Sequence, residues 1–273
     1  MTYGVRGATV RFGDRLALDD VTVEVPSGSV VAVVGGDGAG KSTLLRALVG
    51  EVVLDDGDVS APGAEAIGYL TASAGSWAAL TVQQNIDFVA GVYGVTGAAL
   101  EARRSELLGR AGLADDSDRL SSQLSGGMRR KLGFSMVMVH RPELLVLDEP
   151  STGVDPVSRI DLWRLVTQAA ASGAAVLMST TYLDEAERAA SLVVLDRGRV
   201  LAQGSWDDVR ASFTGTVTSG QGAVRPEWSW RRGRVVHEYW AEGEQPTGDV
   251  IAPDLEDVVI ALSLVRRREA VPS

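Results

Sequence analysis

The sequence predicts an α/β protein built around a parallel sheet, and three observations carry that prediction. Short, wholly apolar runs recur at 30–34, 144–147, 175–178 and 192–195, the pattern of strands buried on both faces. The first run leads straight into a glycine-rich stretch, residues 35–40, after which Lys41 and Ser42 open a helical pattern. The second ends on a pair of acids, Asp148 and Glu149. At 273 residues the chain can bury one substantial core and carry a small appendage.

Taken in order, the elements begin with alternation. Val5, Ala8, Val10 and Phe12 are separated by polar residues, and Leu18, Val21, Val23 and Val25 continue the pattern until Pro26 and Gly28 turn the chain. That reads as an antiparallel hairpin or meander. The strand at 30–34 and the glycine stretch lead to a helix over 43–49. Residues 87–113, rich in Ala, Leu and Arg, read as helical with glycines marking breaks. The three remaining buried strands follow. After Gly204 the composition changes: Gly, Ser and Thr predominate through 214–223, and three of the six tryptophans fall at 228, 230 and 240. The boundary is placed there, with 1–213 as one domain and 214–273 as a small accessory domain. Within the latter, Trp228, Trp230, Val235, His237 and Tyr239 alternate like a strand pair, and 254–262 reads as a helix capped by Asp254.

Composition excludes several classes. A net charge of −10 argues against a general nucleic-acid or anionic-membrane surface. No cysteine is present, so disulfides and thiolate metal sites are excluded. The N-terminus shows no basic region followed by an apolar run, so no signal peptide is expected. No stretch approaches the ~20 continuous apolar residues that a membrane helix needs. Any membrane association is expected to come through a partner.

Gly35 and Gly40, with four residues between them, then Lys41 and Ser42, satisfy GxxxxGK[ST] in its required setting between a buried strand and a helix. Backbone N–H groups of Gly35, Gly36, Asp37, Gly38, Ala39 and Gly40 can converge on phosphates, and the helix opening through Ser42 and Thr43 adds its partial positive charge. Lys41 is expected to bridge β- and γ-phosphates, and the Ser42 hydroxyl to ligate Mg²⁺. The bland alternative is a glycine-rich turn without chemistry. Asp37 stands where a neutral Asn is more usual, and its carboxylate weakens phosphate binding unless it points outward. At the other strand end, Asp148 is expected to hold the Mg²⁺ shell through water and Glu149 to orient and deprotonate an attacking water. A solvated acid pair is the plainer reading.

Together with Leu124-Ser-Gly-Gly-Met128 and Gly153-Val-Asp-Pro156, in this order and spacing, these segments make the chain resemble an ATP-binding cassette (ABC) ATPase, the motor subunit of ABC transporters. The resemblance covers about residues 3–210. It implies a P-loop fold with a RecA-like core, an antiparallel β subdomain and a helical subdomain, here followed by a small C-terminal α+β appendage. It also implies ATP and Mg²⁺ as cofactors, and two subunits packed head to tail with each ATP between the phosphate loop of one and the signature of the other. Ser125, Gly126 and Gly127 would then touch the partner's γ-phosphate, Phe12 would stack on adenine, and Asp155 would belong to the D-loop of the nucleotide site. For Phe12 the alternative is a core residue of an edge strand.

The match has gaps. Ala72 occupies the Q-loop glutamine position and Thr181 the switch-histidine position. Alanine cannot ligate through its side chain, and threonine lacks imidazole's charge and reach. Neither His140 nor His237 can substitute by position. The resemblance therefore implies an asymmetric pair: a slow or non-hydrolytic site on this chain, with its signature donated to a different ATPase subunit. A homodimer with altered switches is the alternative.

Met128 followed by Arg129, Arg130 and Lys131 is similar to ABC-2-type exporters, including drug-efflux pumps, and the 254–262 segment resembles their C-terminus. Cations in a helix's first turn oppose its dipole. A solvated face, or attraction of a partner's triphosphate, are the two readings of that cluster. The expected partners are a second ABC ATPase subunit, different in preference to identical, and an integral membrane permease docked on a groove at 74–98. Nucleic acid is not expected: the basic, aromatic strip at 228–232 suits a small packing domain better than base stacking. Arg266, Arg267 and Arg268 make at most a weak membrane attachment. The expected location is the cytoplasmic face of the cell membrane, peripherally bound. A non-hydrolysing regulatory subunit and a non-transport ABC ATPase are the competing functions.

Overall fold

The computed structural model describes residues 1–73 and 75–269. Ala74, at the start of the expected groove, and residues 270–273 of the accessory domain lie outside the described residues. The chain begins with two long strands, β1 (Thr2–Phe12) and β2 (Arg15–Pro26), paired antiparallel as their alternation demands. β3 (Val30–Val34) feeds α1 (Lys41–Leu48). β4 (Asp56–Ser60) then pairs antiparallel with β1. This strand carries no sequence signal: Val59 is its one large apolar residue, all five residues are exposed, and it is held by pairing to β1.

β5 (Ile67–Leu70) returns the chain to the central sheet, and α2 (Val82–Val92) and α3 (Gly97–Ala111) follow. α3 falls within the 87–113 helical reading, α2 starts five residues before it, and the two divide at Gly94, whose φ of 70° no continuing helix accommodates. α4 (Gly126–Val137) starts at the signature, and β6 (Leu144–Asp148) ends at the acid pair. α5 (Pro156–Ala171), β7 (Ala175–Thr180), α6 (Leu183–Ala186), β8 (Ser191–Asp196) and β9 (Arg199–Gly204) complete the central layer. Its strand order is β5-β6-β7-β3-β8-β9, parallel throughout except for β9.

Alternation within the buried strands divides the core. Val31 and Val33 of β3, with Leu144, Val146 and Leu177, face α1 and the antiparallel sheet, where Leu18, Leu44, Leu45 and Leu48 close the layer. Ala32, Val34, Leu145, Leu147, Val176 and Met178 face the opposite way, onto Ile86, Leu107, Phe134 and Leu162 of the helices. Apolar side chains on both faces are what a two-sided parallel sheet requires.

After α7 (Trp206–Ser212) come β10 (Thr216–Gly220), β11 (Ser229–Arg232), β12 (Val235–Trp240) and β13 (Asp249–Ile251), a separate antiparallel sheet of order β11-β12-β10-β13. The strand pair over 224–240 appears as β11 and β12. The Gly-, Ser- and Thr-rich stretch is not a loose connection: it contains β10, an inner strand that buries Val217 and Thr218. α8 (Leu255–Glu269) follows Asp254, whose carboxylate accepts from the Asp257 amide at 3.0 Å while Asp257 accepts from the Asp254 amide at 3.2 Å. Leu255 and Val258 reach back to Val209 in the main core. Among the described residues no helix is long and apolar enough to cross a membrane.

Candidate functional site

The glycine loop is held open by backbone contacts that only glycine tolerates. Gly40, at φ 110°, precedes α1, and a Cβ there would lie 2.7 Å from the carbonyl of Ala17. From below, the β8–β9 turn braces the loop, with the Gly198 amide donating to the Ala39 carbonyl at 2.8 Å. Lys41 is 6% exposed, and its ammonium folds back to donate to the Gly35 carbonyl at 2.8 Å and that of Gly36 at 3.4 Å.

Opposite, β6 delivers the acids. Ser179, at the end of β7, donates its hydroxyl to Asp148 Oδ1 at 2.7 Å and accepts the Glu149 amide at 2.9 Å. Glu149 needs that anchor, because its φ of 47° lies in the left-handed region that non-glycine residues rarely occupy. Thr152 donates to Glu149 Oε2 at 3.1 Å, and Oε1 stands 3.5 Å from Lys41 Nζ.

A cleft of about 250 Å³ results, lined by Phe12, Arg15, Ala17, Asp37, Gly38, Ala39, Gly40, Lys41, Ser42, Thr43 and Glu149. The structure thus gathers the loop, the start of α1, Phe12 and Glu149 at one place. Phe12 is 54% exposed at the end of β1, so the core-residue alternative does not hold. Asp37 is exposed and is among the residues that line the cleft. Asp148 lies behind, buried at the foot of Glu149.

Ser125, Gly126 and Gly127 do not line this cleft. They open α4, with the Ser125 hydroxyl accepting from the Met128 amide at 3.2 Å as its N-cap. Gly127 is pressed against α5: a Cβ would come within 2.4 Å of Ser158 Oγ. Asp155 caps α5, accepting from the amides of Val157 at 3.1 Å and Ser158 at 3.0 Å. Those bonds, the one from the Ser158 amide foremost, hold its carboxyl below the usual carboxylate value. The signature and the Gly153–Asp155 turn therefore form one edge, exposed at Ser125, Gly126, Gly153 and Asp155 and separate from the phosphate-loop cleft.

Thr181 is exposed just past β7. Its neighbour Thr180 is buried and donates to Glu185 Oε2 at 2.7 Å, as does Ser151 at 2.8 Å. The three cations after the signature do not share a face. Lys131 stands 3.5 Å from Asp161, while Arg130 is buried and turned inward. Two site residues escape sequence reasoning. Arg15, whose Nη2 lies 3.5 Å from the Gly38 carbonyl, gives no signal beyond its nearness to Phe12. Ser179 reads only as the polar residue that follows the apolar run 175–178.

A second cleft of about 380 Å³ is lined by Tyr69, Thr71, Trp77, Val89, Tyr93 and His140, among others. It takes in part of the 74–98 segment. Tyr93 and His140 stack with centroids 3.8 Å apart.

Comparison with known proteins agrees with this arrangement. The model of the family described as "ABC transporter" matches residues 18–152. The chain is 38% identical over 201 residues to the probable multidrug ABC transporter ATP-binding protein YbhF of Escherichia coli (strain K12), covering 70% of this chain but 35% of that protein. It thus spans about a third of that relative's length. It is 37% identical over 222 residues to the daunorubicin resistance ATP-binding protein DrrA3 of Streptomyces coeruleorubidus, covering 77% of this chain and 70% of the relative. Among solved structures, an ATP binding subunit of an ABC transporter superposes with a TM-score of 0.72 at 30% identity, over 78% of this chain and 93% of the other. The structure of cbiO1 from Clostridium perfringens, part of the ABC transporter complex cbiONQ, gives 0.68 at 26% identity, over 77% and 90%.

Proposed function

Because the chain belongs to the ABC transporter family, we propose that it is the ATP-binding subunit of an exporter, taking MgATP in the Phe12–Glu149 cleft and powering a membrane partner. One observation carries this reading: the Lys41 ammonium, the Glu149 carboxylate and the open loop converge on a single cleft with Phe12 exposed at its edge. In this assignment residues 1–213 are the nucleotide-binding unit and 214–273 the accessory one.

The loop amides from Gly35 to Gly40 and the first turn of α1 at Thr43 receive the phosphates, with Lys41 on the β and γ positions. Phe12 offers its face to adenine. No group of three or more metal-binding side chains occurs among the described residues, which suits an ion held mainly by substrate oxygens. Ser42 and Asp148 fit that role, and Mg²⁺ bound there would supply charge neutralisation on the phosphates. Ser179 donates to Asp148 Oδ1, so Oδ2 is the oxygen with which Asp148 would help hold the ion. Glu149 orients the attacking water and accepts its proton.

The edge formed by Ser125, Gly126, Gly127 and Asp155 completes a second pocket on another cassette. Its separation from the cleft within one chain supports a head-to-tail pair. Thr181 and Ala72 support a slow site on this chain, and hence a different ATPase as partner. The Trp77–Tyr93 cleft suits a helix presented by the membrane subunit, which supports a peripheral position on the cytoplasmic face.

Affinity purification from detergent-solubilised membranes tests the assembly. Recovery of a membrane chain and a second cassette is expected. Rapid ATP turnover by this chain alone would remove the asymmetric reading, and failure to bind MgATP would remove the whole of it.

A further inference from the structure

Arg130 sits one turn into α4 and is 8% exposed, yet no carboxylate lies within ion-pair distance of it among the described residues. Its fork is satisfied by backbone instead. Nη1 donates to the Thr71 carbonyl at 3.2 Å, and Nη2 donates to the Ala72 carbonyl. These are the residues just past β5, where the chain leaves the central sheet for the helices. Ala72 has no polar side-chain atom, so only its backbone can make such a link.

A buried guanidinium is costly unless its donors are met and its charge has a use. Burial draws the Arg130 pKa down, while Glu149 and then Asp148 draw it back up, so the cation feels the acid pair across the site. Glu149 thus feels two cations: Lys41, 3.5 Å away, and Arg130, which lies beyond ion-pair distance. A triphosphate that attracts Lys41 takes away the nearest counter-charge of Glu149, so the pull of Arg130 on that carboxylate counts for more.

We propose that Arg130 is a positioning residue that ties the 71–72 backbone to the signature helix and releases it when nucleotide draws Lys41 away from Glu149. The tether rests on geometry alone; its release rests on the ATP-binding reading above. Arg130 thereby links the phosphate loop to the tip, at Ser125, that this chain would present to its partner cassette, and takes up the connection that Ala72 cannot make.

Hydrogen exchange on the full-length chain tests both parts. In Arg130→Ala, amides at 67–73 should exchange about tenfold faster than wild type without nucleotide, since two charge-assisted bonds are lost. Saturating MgATP should speed exchange at 67–73 in wild type and change it little in Arg130→Ala, with nucleotide affinity kept within about threefold. Arg130→Lys keeps the charge but reaches one carbonyl, and should fall between the two. Wild-type protection at 67–73 in Arg130→Ala would overturn the tether. Faster exchange spread evenly over α4 and the central sheet would also overturn it, marking a merely structural role. A wild-type chain that takes up no MgATP would overturn the ATP-binding reading and the release, while the nucleotide-free comparison would still judge the tether.

Discussion

Lys41 and Glu149, one from the head of α1 and the other from the end of β6, stand with Nζ 3.5 Å from Oε1. The same ammonium is bonded to the Gly35 carbonyl, and the same carboxylate to Thr152. Each group that would act on a phosphate is therefore already positioned by a second contact, which favours preorganisation over reach.

Glu149→Gln keeps the shape of this arrangement and removes the proton acceptor. ATP turnover by the assembled complex should fall about 10²–10⁴-fold, with nucleotide binding retained or tightened. Radiolabelled ATP hydrolysis beside equilibrium dialysis separates the two quantities. An unchanged rate would make this chain a regulatory subunit.

Asp37 lines the cleft together with Gly38 and Lys41. Asp37→Asn removes repulsion from an exposed charge, so MgATP affinity should rise about threefold to tenfold, with the gain shrinking in high salt. Fluorescent-nucleotide titration at two ionic strengths reads this directly. A gain independent of salt would point away from electrostatics.

Thr181→His returns an imidazole to the exposed position after β7. If its absence limits the reaction, steady-state turnover should rise about tenfold or more. Lack of any rise would assign the slow step elsewhere, with Ala72 the next position to test.

Gly127→Ala places a methyl 2.6 Å from Ser158 Cβ and 2.4 Å from its hydroxyl, so α4 and α5 must part. Overpacking of this kind costs about 1–3 kcal/mol. Ser158→Gly should recover at least half of that loss in a double-mutant cycle by urea denaturation. Strict additivity would show that the two residues do not meet.

Asp155 gives a pH signature. Its carboxyl titrates below the ordinary 3.8 because the Ser158 amide, the Ser158 hydroxyl and the Val157 amide bond to the charged form. A folded pKa below the unfolded one contributes stability that is present above the unfolded value and lost as pH falls through the folded one. The difference in Tm between wild type and Asp155→Ala should therefore be full at pH 5 and shrink toward pH 2. A difference constant over that window would exclude the cap's charge as its source.

Chemistry with a local signature was legible in the residue order. Four of the central strands announce themselves because burial on both faces demands continuous apolar residues, and the phosphate loop because only glycine fits its backbone. Lys41 and Glu149 could be named as site residues from those motifs, and Phe12 from the family resemblance. The exposed strand β4 and the inner strand β10 could not be read, since pairing partners far along the chain, not side-chain type, hold them.

The sequence by itself determined which residue types stand at each strand end, and so the family and the chemistry on offer. Only the tertiary structure decided where the charges point. It turned Arg130 inward to the carbonyls of Thr71 and Ala72, brought Ser179 under both acids, and set the signature on an edge apart from the cleft. The physical reason is range. Backbone conformation and burial pattern are fixed by near neighbours, whereas a hydrogen bond spanning 31 positions, as between Asp148 and Ser179, exists only once the sheet has closed.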